Sequence, residues 1–366
     1  MSQLVYPGAN HTRFHHALGA MHLMSKALTV LRKKGVEISD EEKLAVRIAI
    51  LLHDIGHGPY SHTLEHSLLR SVMHEQMSLL FMHELNKEFD GQLDLAIKIF
   101  TNDYNKPFLH QLVSSQLDMD RLDYLQRDSF FTGVSEGVVG AERIITMLNV
   151  VDGELVVEEK GIYSIENFIS ARRIMYWQVY MHKTVVASEY MLIKILTRAN
   201  YLFDQGIDLF ASPFLKTFLV NKITVDDFKK KPELLKQFAM VDDSDLISAI
   251  KVWQSSDDLI LSTLCKSIVS RNLFKTEISH KAPNRSKIKK LKEAIIEHLN
   301  IDEKDVSYFL EEEMLINNAY NEKYKQIRIL SKSGDIQDIA RASDNLNISA
   351  LSKPVEKFCL CYLKVK

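Results

Sequence analysis

Cysteine is scarce. The three residues Cys265, Cys359 and Cys361 lack zinc-type spacing, which argues against a metal-knuckle framework, and an odd, sparse set excludes a disulfide scaffold. With no signal peptide in view, such thiols fit the reducing cytoplasm. Charge of one sign is lacking too. The formal net charge is −2, so no basic excess points to nucleic acid as the main partner. The lysine runs Lys229 to Lys231 and Lys287 to Lys292 read as solvated helix faces. No uninterrupted apolar run is long enough to span a bilayer, which excludes a membrane-spanning helix. What is present is 46% hydrophobic and 26% charged residue in a chain of 366, the composition of a water-soluble globular protein with ample material for a core. At roughly 150 residues per domain, that length suggests about two domains.

Helical patterning dominates to about residue 300. His16 to Leu31 carries apolar residues at helical spacing, and Ser39-Asp40 ahead of EEKLAVRIAILLHD reads as a helix start with acidic residues in the first turn. Glu75 to Leu85, Gln92 to Ile99 and Phe108 to Leu125 continue the pattern. One hairpin interrupts it at Asp152-Gly153, between β-branched runs. A long helical stretch is expected from Ile165 to about Phe203, a boundary near Gly206 to Pro213, and further helices from Val225 to Ile268. The last third changes character. YKQIRILSKSGDIQDI alternates around Ser333-Gly334, and KFCLCYLKV reads as a closing strand. The expected fold is mainly α: residues 1–210 form a helical catalytic core with a short hairpin near 150–163, and residues 211–366 a smaller C-terminal α+β region.

The chemistry concentrates in LLHDIGHGPYSH, Leu51 to His62, where an apolar helix ends on His53 and Asp54. A buried carboxylate is costly unless it is paired or coordinates a cation. An imidazole beside a carboxylate is a mixed N/O set that suits Mn, Fe, Zn, Co or Ni better than Ca. Further ligands stand on other helices: His16 near a helix start behind Arg13, and Asp120 in a run where Asp118, Asp120, Asp123 and Asp128 crowd together. Such acids repel one another unless a cation or basic partners offset them. Two His and two Asp from separate helices would hold one metal with open positions for water and substrate, activating the water and polarising a phosphoryl oxygen. Taken singly, a His-Asp pair at a helix end is more often a capping hydrogen bond, and His11, His15, His22 and His66 read as surface or packing residues. The joint spacing shifts the balance to a site.

PGANHTRFHHALG, HDIGHGPYSH and LDMDRLDYLQRD together resemble the HD-domain phosphohydrolases, most closely the branch of dNTP triphosphohydrolases. The resemblance runs from Tyr6 to about Lys275. It implies a helical HD-domain core and one divalent transition metal per active site (Mn, Fe, Zn, Co or Ni, with Mg admissible), held by His16, His53, Asp54 and Asp120. The implied reaction releases a deoxynucleoside and intact triphosphate by attack at the α-phosphorus. Another nucleotide phosphate ester as substrate, or a weakly active nucleotide-sensing protein, are the alternatives.

Further roles follow residue by residue. Arg13 matches an arginine on the triphosphate, and a planar guanidinium suits bidentate phosphate binding. His57 and His62 match histidines lining the α-phosphate; His62 is the candidate general acid, with Glu65 one helical turn on to orient it. His74 matches another active-site histidine, and Arg121 stands where some relatives have lysine. Tyr124 and Asp128 match residues on the deoxyribose and its 3′-hydroxyl, Arg172 a phosphate position and Tyr180 a sugar contact. Without the resemblance, both tyrosines read equally as core packing. Met181 departs from a polar residue near the base, and only six residues precede Pro7, where relatives carry a segment ending in a nucleotide-contacting Gln-Leu-Gly. Arg143, His182, Lys183, Arg271 and Lys275 match residues that hold an activating nucleotide between subunits. Arg271 and Lys275, four apart, are expected to face the same way on a helix. The implied partners are a nucleotide substrate, a nucleotide effector and further copies in a homo-oligomer, dimer or tetramer.

Overall fold

A computed structural model describes residues 1–61, 69, 72–321, 326–345, 351 and 353–365. Its first helix, α1 (Arg13–Lys33), starts at a capping box in which Thr12 accepts from the His15 backbone and His15 reaches back to the Thr12 amide. Helix α2 (Asp40–Leu52) starts at Ser39 and Glu42 in the same way, as the acidic first turn leads one to expect. Helix α3 (His74–Glu88) and the short helices α4 (Asp94–Phe100) and α5 (Pro107–Val113) follow, then α6 (Met119–Thr132) and α7 (Ala141–Met147). Phe108 to Leu125 is therefore not one helix. Asp118 accepts from the Arg121 amide and begins a new helix, so the acid that looked like part of a helical face is an N-cap.

The hairpin forms where Asp152-Gly153 signalled it: β1 (Leu148–Val151) pairs antiparallel with β2 (Glu154–Glu158), with φ of 52° and 77° at the two turn residues. Helix α8 (Ile162–Met175) passes into a wider π turn over Tyr176–Tyr180, and α9 (Lys183–Asp204) begins afresh after His182. The long helix expected from Ile165 to Phe203 is thus broken. The His182 ring accepts from the Thr184 amide at 3.2 Å and supplies a cap that its residue type does not advertise.

Helices α10 (Pro213–Val220), α11 (Val225–Lys230), α12 (Pro232–Ala239), α13 (Asp243–Trp253) and α14 (Leu259–Val269) precede β3 (Lys275–Ser279), α15 (Arg285–Leu299) and β4 (Leu310–Asn317). β5 (Arg328–Leu330) and β6 (Ile336–Asp338) form the hairpin around Ser333-Gly334, and β7 (Val355–Tyr362) is the expected closing strand. Arg271 and Lys275 do not share a helix. α14 has already ended, Arg271 adopts a left-handed φ of 58°, and Lys275 opens β3.

β7 lies between β3 and β4, antiparallel to both, while β5 runs parallel to β2, giving a second sheet in the order β1-β2-β5-β6. One core gathers Met24, Leu28, Val46, Ile50 and Leu122 with Tyr320, Ile329 and Ile339 from the C-terminal region. The other joins Leu192, Ile195 and Leu196 of α9 to Phe238, Trp253, Phe309 and Leu360. The fold is mainly α, a helical core with a C-terminal α+β region.

Candidate metal centre and catalytic cleft

α1, the end of α2 and α6 aim their side chains at one point. His16 lies in the first turn of α1, His53 caps the C-terminus of α2, and Asp120, Asp123, Tyr124, Arg127 and Asp128 recur along one face of α6. Gly19 makes the approach possible: a Cβ there would stand 1.9 Å from the Asp123 carboxylate and 2.1 Å from the Arg127 guanidinium. Gly56 does the same for the turn after Asp54, where a Cβ would meet the Ser78 amide at 2.2 Å. The buried Ser78 hydroxyl donates to the His53 carbonyl at 2.8 Å and accepts from the Gly56 amide at 2.9 Å, fixing the His-Asp turn against α3.

Each histidine commits one ring nitrogen away from the centre. His16 Nδ1 meets Asp123 at 2.8 Å, and Asp123 is itself held by Arg127 Nε and Nη2, each at 2.8 Å; His53 Nδ1 meets the Ile50 carbonyl at 2.6 Å. The other nitrogens converge. His16 Nε2 is 3.1 Å from Asp120 and 3.9 Å from Asp54, and His53 Nε2 is 3.4 Å from Asp54 and 3.5 Å from Asp120. His53 Nε2 is buried and has no hydrogen-bond partner among the described residues. An orphaned imidazole nitrogen aimed at two carboxylates fits a divalent ion, and the engaged Nδ1 atoms are the outer-shell contacts that orient such ligands.

The electrostatics ask for positive charge. Burial opposes protonation of His16, yet Asp120 and Asp123 overcome it and push the imidazole up to about 10. His53 is raised likewise, against burial, by Asp120 and Asp54. Burial would lift both carboxyls, but His57, His53 and Arg13 hold Asp54 well below its usual range, and His16 and His53 do so for Asp120. A divalent cation answers the same field.

His57 and His74 stack with ring centroids 4.0 Å apart. With Asp54 they form a second group of potential ligand atoms, beside that of His16, His53 and Asp120. Burial, with Arg13 and His74 adding to it, lowers His57 to about 4 although Asp54 partly offsets them, so His57 is neutral at physiological pH. Arg13 bonds Asp54 and, through Nε, the Ser61 hydroxyl at 2.9 Å. His62 and Glu65, expected as general acid and orienting partner, lie outside the described residues, as does His66.

These groups open onto a cleft of about 760 Å³, within the size range of small-molecule sites. Arg13, His57, His74, Tyr124, Asp128, Arg172, Tyr180 and Met181 all line it. Asp128 accepts from the Tyr180 hydroxyl and meets His11 Nε2 at 2.7 Å, and His11 stacks on Phe131 at 4.6 Å. His11 is therefore part of the cleft wall rather than a surface residue, and its contact 117 positions away in sequence leaves no local signal. Arg172 is steadied by the Ala319 carbonyl at 3.0 Å. Arg121 is turned away: its guanidinium bonds Asp118 and the Ser115 carbonyl, because the N-cap acid three residues earlier captures it. Arg143, His182, Lys183, Arg271 and Lys275 do not line the cleft; Arg271 bonds the Leu4 carbonyl, and Lys275 lies over the Tyr362 ring at 5.9 Å.

Comparison with known proteins places the chain. Residues 13–128 match the HD domain and residues 139–206 the HD associated region. The Bacillus subtilis protein YwfO is 31% identical over 93% of this chain and 78% of its own. A crystal structure of a phosphohydrolase from Bacteroides thetaiotaomicron is 54% identical, with a TM-score of 0.94 over 99% of this chain and 90% of that one. The deoxynucleoside triphosphate triphosphohydrolase SAMHD1 homolog of Dictyostelium discoideum is 29% identical over 72% of this chain and 54% of its own length. This chain belongs to the HD-domain phosphohydrolase family, in the group that joins an HD domain to an HD associated region.

Proposed function

We propose that this protein is a metal-dependent deoxynucleoside triphosphate triphosphohydrolase, converting a dNTP and water into a deoxynucleoside and triphosphate. The observation that carries the reading is a single cleft joining the histidine–aspartate group to Arg13 and Arg172 and to a tyrosine–carboxylate wall. The metal set is His16, His53, Asp54 and Asp120. When bound there, a divalent ion supplies charge neutralisation and water activation.

The remaining chemistry belongs to side chains. Arg13 and Arg172 present planar cations to the phosphates, while Arg13 also keeps Asp54 ionised. His57, held neutral, offers one N–H without adding charge, and His74 keeps its ring in place by stacking. Tyr124 and Tyr180, with centroids 6.3 Å apart, bound the sugar, and Asp128 accepts from its 3′-hydroxyl with the lone pairs that Tyr180 and His11 leave. His62, oriented by Glu65, protonates the leaving 5′-oxygen, so His62→Ala lowers kcat more than it raises KM. Arg121, held on Asp118 and the Ser115 carbonyl, would have to release them to add its cation to the phosphates. Residues 1–210 carry the reaction and 211–366 close over it.

The deciding experiment incubates purified protein with each dNTP and Mn, Mg, Fe or Co and separates the products. Deoxynucleoside with intact triphosphate supports the reading; nucleoside monophosphate with pyrophosphate, or inorganic phosphate, overturns it. Asp54→Asn should lose bound metal and turnover together. Regulation is a separate proposal: Arg143, His182, Lys183, Arg271 and Lys275 bind a nucleotide between subunits of a dimer or tetramer. Light scattering with and without dGTP tests it, and a monomer indifferent to nucleotide overturns it.

A further inference from the structure

The cleft extends beyond the residues of both family regions. From the metal side it follows a path of rings, His16 to Tyr124 at 6.5 Å, Tyr124 to Tyr180 at 6.3 Å and Tyr180 to Tyr176 at 6.1 Å. It ends against α9 and β4. Val186, Glu189, Tyr190 and Ile193 line it from α9 at spacings of three, four and seven, which is one helical face. Glu313 and Leu315 line it from β4, two residues apart on one strand face. Val186 and Leu315 pack in a small apolar cluster with Met181, Tyr190 and Trp177.

Among the described residues, two polar groups at this end lack a protein partner. The Tyr190 hydroxyl is buried with no hydrogen-bond partner among the described residues. Glu311, Glu312 and Glu313 are consecutive, yet Glu311 is tied to Lys194 and Glu312 to Arg285 at 3.2 Å. Glu313 has neither an ion pair nor a hydrogen bond among the described residues. Glu313 is exposed on β4, and the packing around it still pushes its carboxyl above the ordinary range, with no cation to oppose the shift. An open carboxylate on a cleft wall with no protein partner is available to a charge-assisted hydrogen bond from a ligand that brings donors.

We propose that Glu313, assisted by the Tyr190 hydroxyl, reads the nucleobase and selects guanine. The inference rests on the reading that a deoxynucleotide occupies the cleft with its phosphates at the metal. A carboxylate offers two acceptors side by side. Guanine answers with two adjacent donors, N1–H and the 2-amino group, in a charge-assisted pair. Adenine and cytosine set one amino donor beside a ring acceptor, and thymine sets one N–H between two carbonyls, so each places a repelling lone pair against Glu313. Met181, Val186 and Leu315 supply the apolar surface for the base, which removes the need for a polar residue at position 181. The charges also fix direction: a triphosphate is drawn to Arg13 and Arg172 and repelled from Glu189 and Glu313. β4 lies outside the matched family regions, so the C-terminal region contributes the selectivity.

The test measures calorimetric binding of the α-thio analogues of dGTP, dATP, dCTP and dTTP, which resist cleavage at the α-phosphorus, to the metal-loaded protein and to Glu313→Gln and Tyr190→Phe. Loss of a hydrogen bond to a charged group changes affinity by about ten- to a hundredfold. The guanine analogue should bind at least about tenfold tighter than the thymine analogue, and Glu313→Gln should erase the ratio while leaving metal content and Tm unchanged. Tyr190→Phe should weaken all four analogues and reduce the ratio less. An unchanged ratio in Glu313→Gln, or no base preference in the unmodified protein, overturns the proposal. Guanine-selective binding without triphosphate release overturns the triphosphohydrolase reading alone, and base-indifferent triphosphate release overturns base reading alone. Absence of nucleotide binding overturns both.

Discussion

At the residue scale, the centre depends on what lies behind it. His16 and His53 could be picked from the sequence only in company: His53-Asp54 alone reads as a helix-end cap, and the joint spacing with His16 and Asp120 turns the pair into a site, where a buried carboxylate needs a cation. Asp123, by contrast, stood among four nearby acids with nothing to distinguish it. Its place three residues beyond Asp120 puts it on the same face of α6, where it takes His16 Nδ1 at 2.8 Å while Arg127 clamps it from behind. That arrangement orients the ring and leaves Nε2 for a metal. Outer-shell partners of this kind change metal affinity by about 10- to 100-fold. Asp123→Ala should therefore lose bound metal to a chelator at a concentration that leaves the unmodified protein loaded. Elemental analysis after graded chelation reads this directly. Equal retention by both proteins would reduce Asp123 to a helix-packing residue. His11 and Ser78 escaped the sequence for a related reason: their roles come from Asp128 and from the His53 carbonyl, contacts that only the folded chain makes.

At the scale of elements, starts were more legible than interruptions. Ser39 and Glu42 announce α2 because a side chain capping its own helix is a local event, complete within four residues. The π turn at Tyr176–Tyr180 has no such signature, since neither proline nor glycine marks it and its aromatic spacing also suits an ordinary helix. The start of α2 matters for function because its other end carries His53. Buried Glu42 accepts from the Ser39 amide at 2.8 Å, the Tyr104 hydroxyl at 2.7 Å and Lys106 at 2.9 Å. Burial would raise its carboxyl, but Lys106, Tyr104 and the Ser39 amide outweigh it and hold the group below its ordinary value. A carboxyl depressed in the folded state stabilises the protein above its unfolded pKa, about 4.3 for glutamate. That contribution is lost as pH falls through the folded value. Glu42→Gln should cost about 1.5–3 kcal/mol near pH 7, the worth of hydrogen bonds to a charged group. The gap in Tm from the unmodified protein should narrow as pH drops below about 4. Melting curves across that range check the sign; a gap that widens toward acid would be incompatible with it. Gly19→Ala is a second test at this scale. The added methyl overlaps Asp123 and Arg127, so α1 and α6 must separate, lowering Tm and metal retention together.

Across the whole molecule, the sequence showed a change of character in its last third, and β5, β6 and β7 lie where the alternation suggested, whereas β3 and β4 gave no such signal. The way they return was not legible. β5 lies parallel beside β2, more than 150 residues away, and nothing within either strand names its partner. Packing does not respect a boundary near residue 210, because each core draws side chains from both sides of it. Tyr320 is the probe for this sharing. It is fully buried in the first core, its hydroxyl donates to Asp338 and accepts from the Ile327 amide at 3.1 Å, and so it ties the C-terminal hairpin to the helical core. Tyr320→Phe leaves those buried groups short of a partner, at about 1–3 kcal/mol for each one stranded. The chain has only two tryptophans, and Trp253 is buried in the second core. In a Trp177→Phe background, fluorescence therefore follows the second core alone, while far-ultraviolet dichroism follows all helices. If the shared packing makes the cores one cooperative unit, Tyr320→Phe shifts both denaturation midpoints downward by the same amount. A dichroism midpoint that moves while the Trp253 midpoint stays would mean that the cores unfold independently.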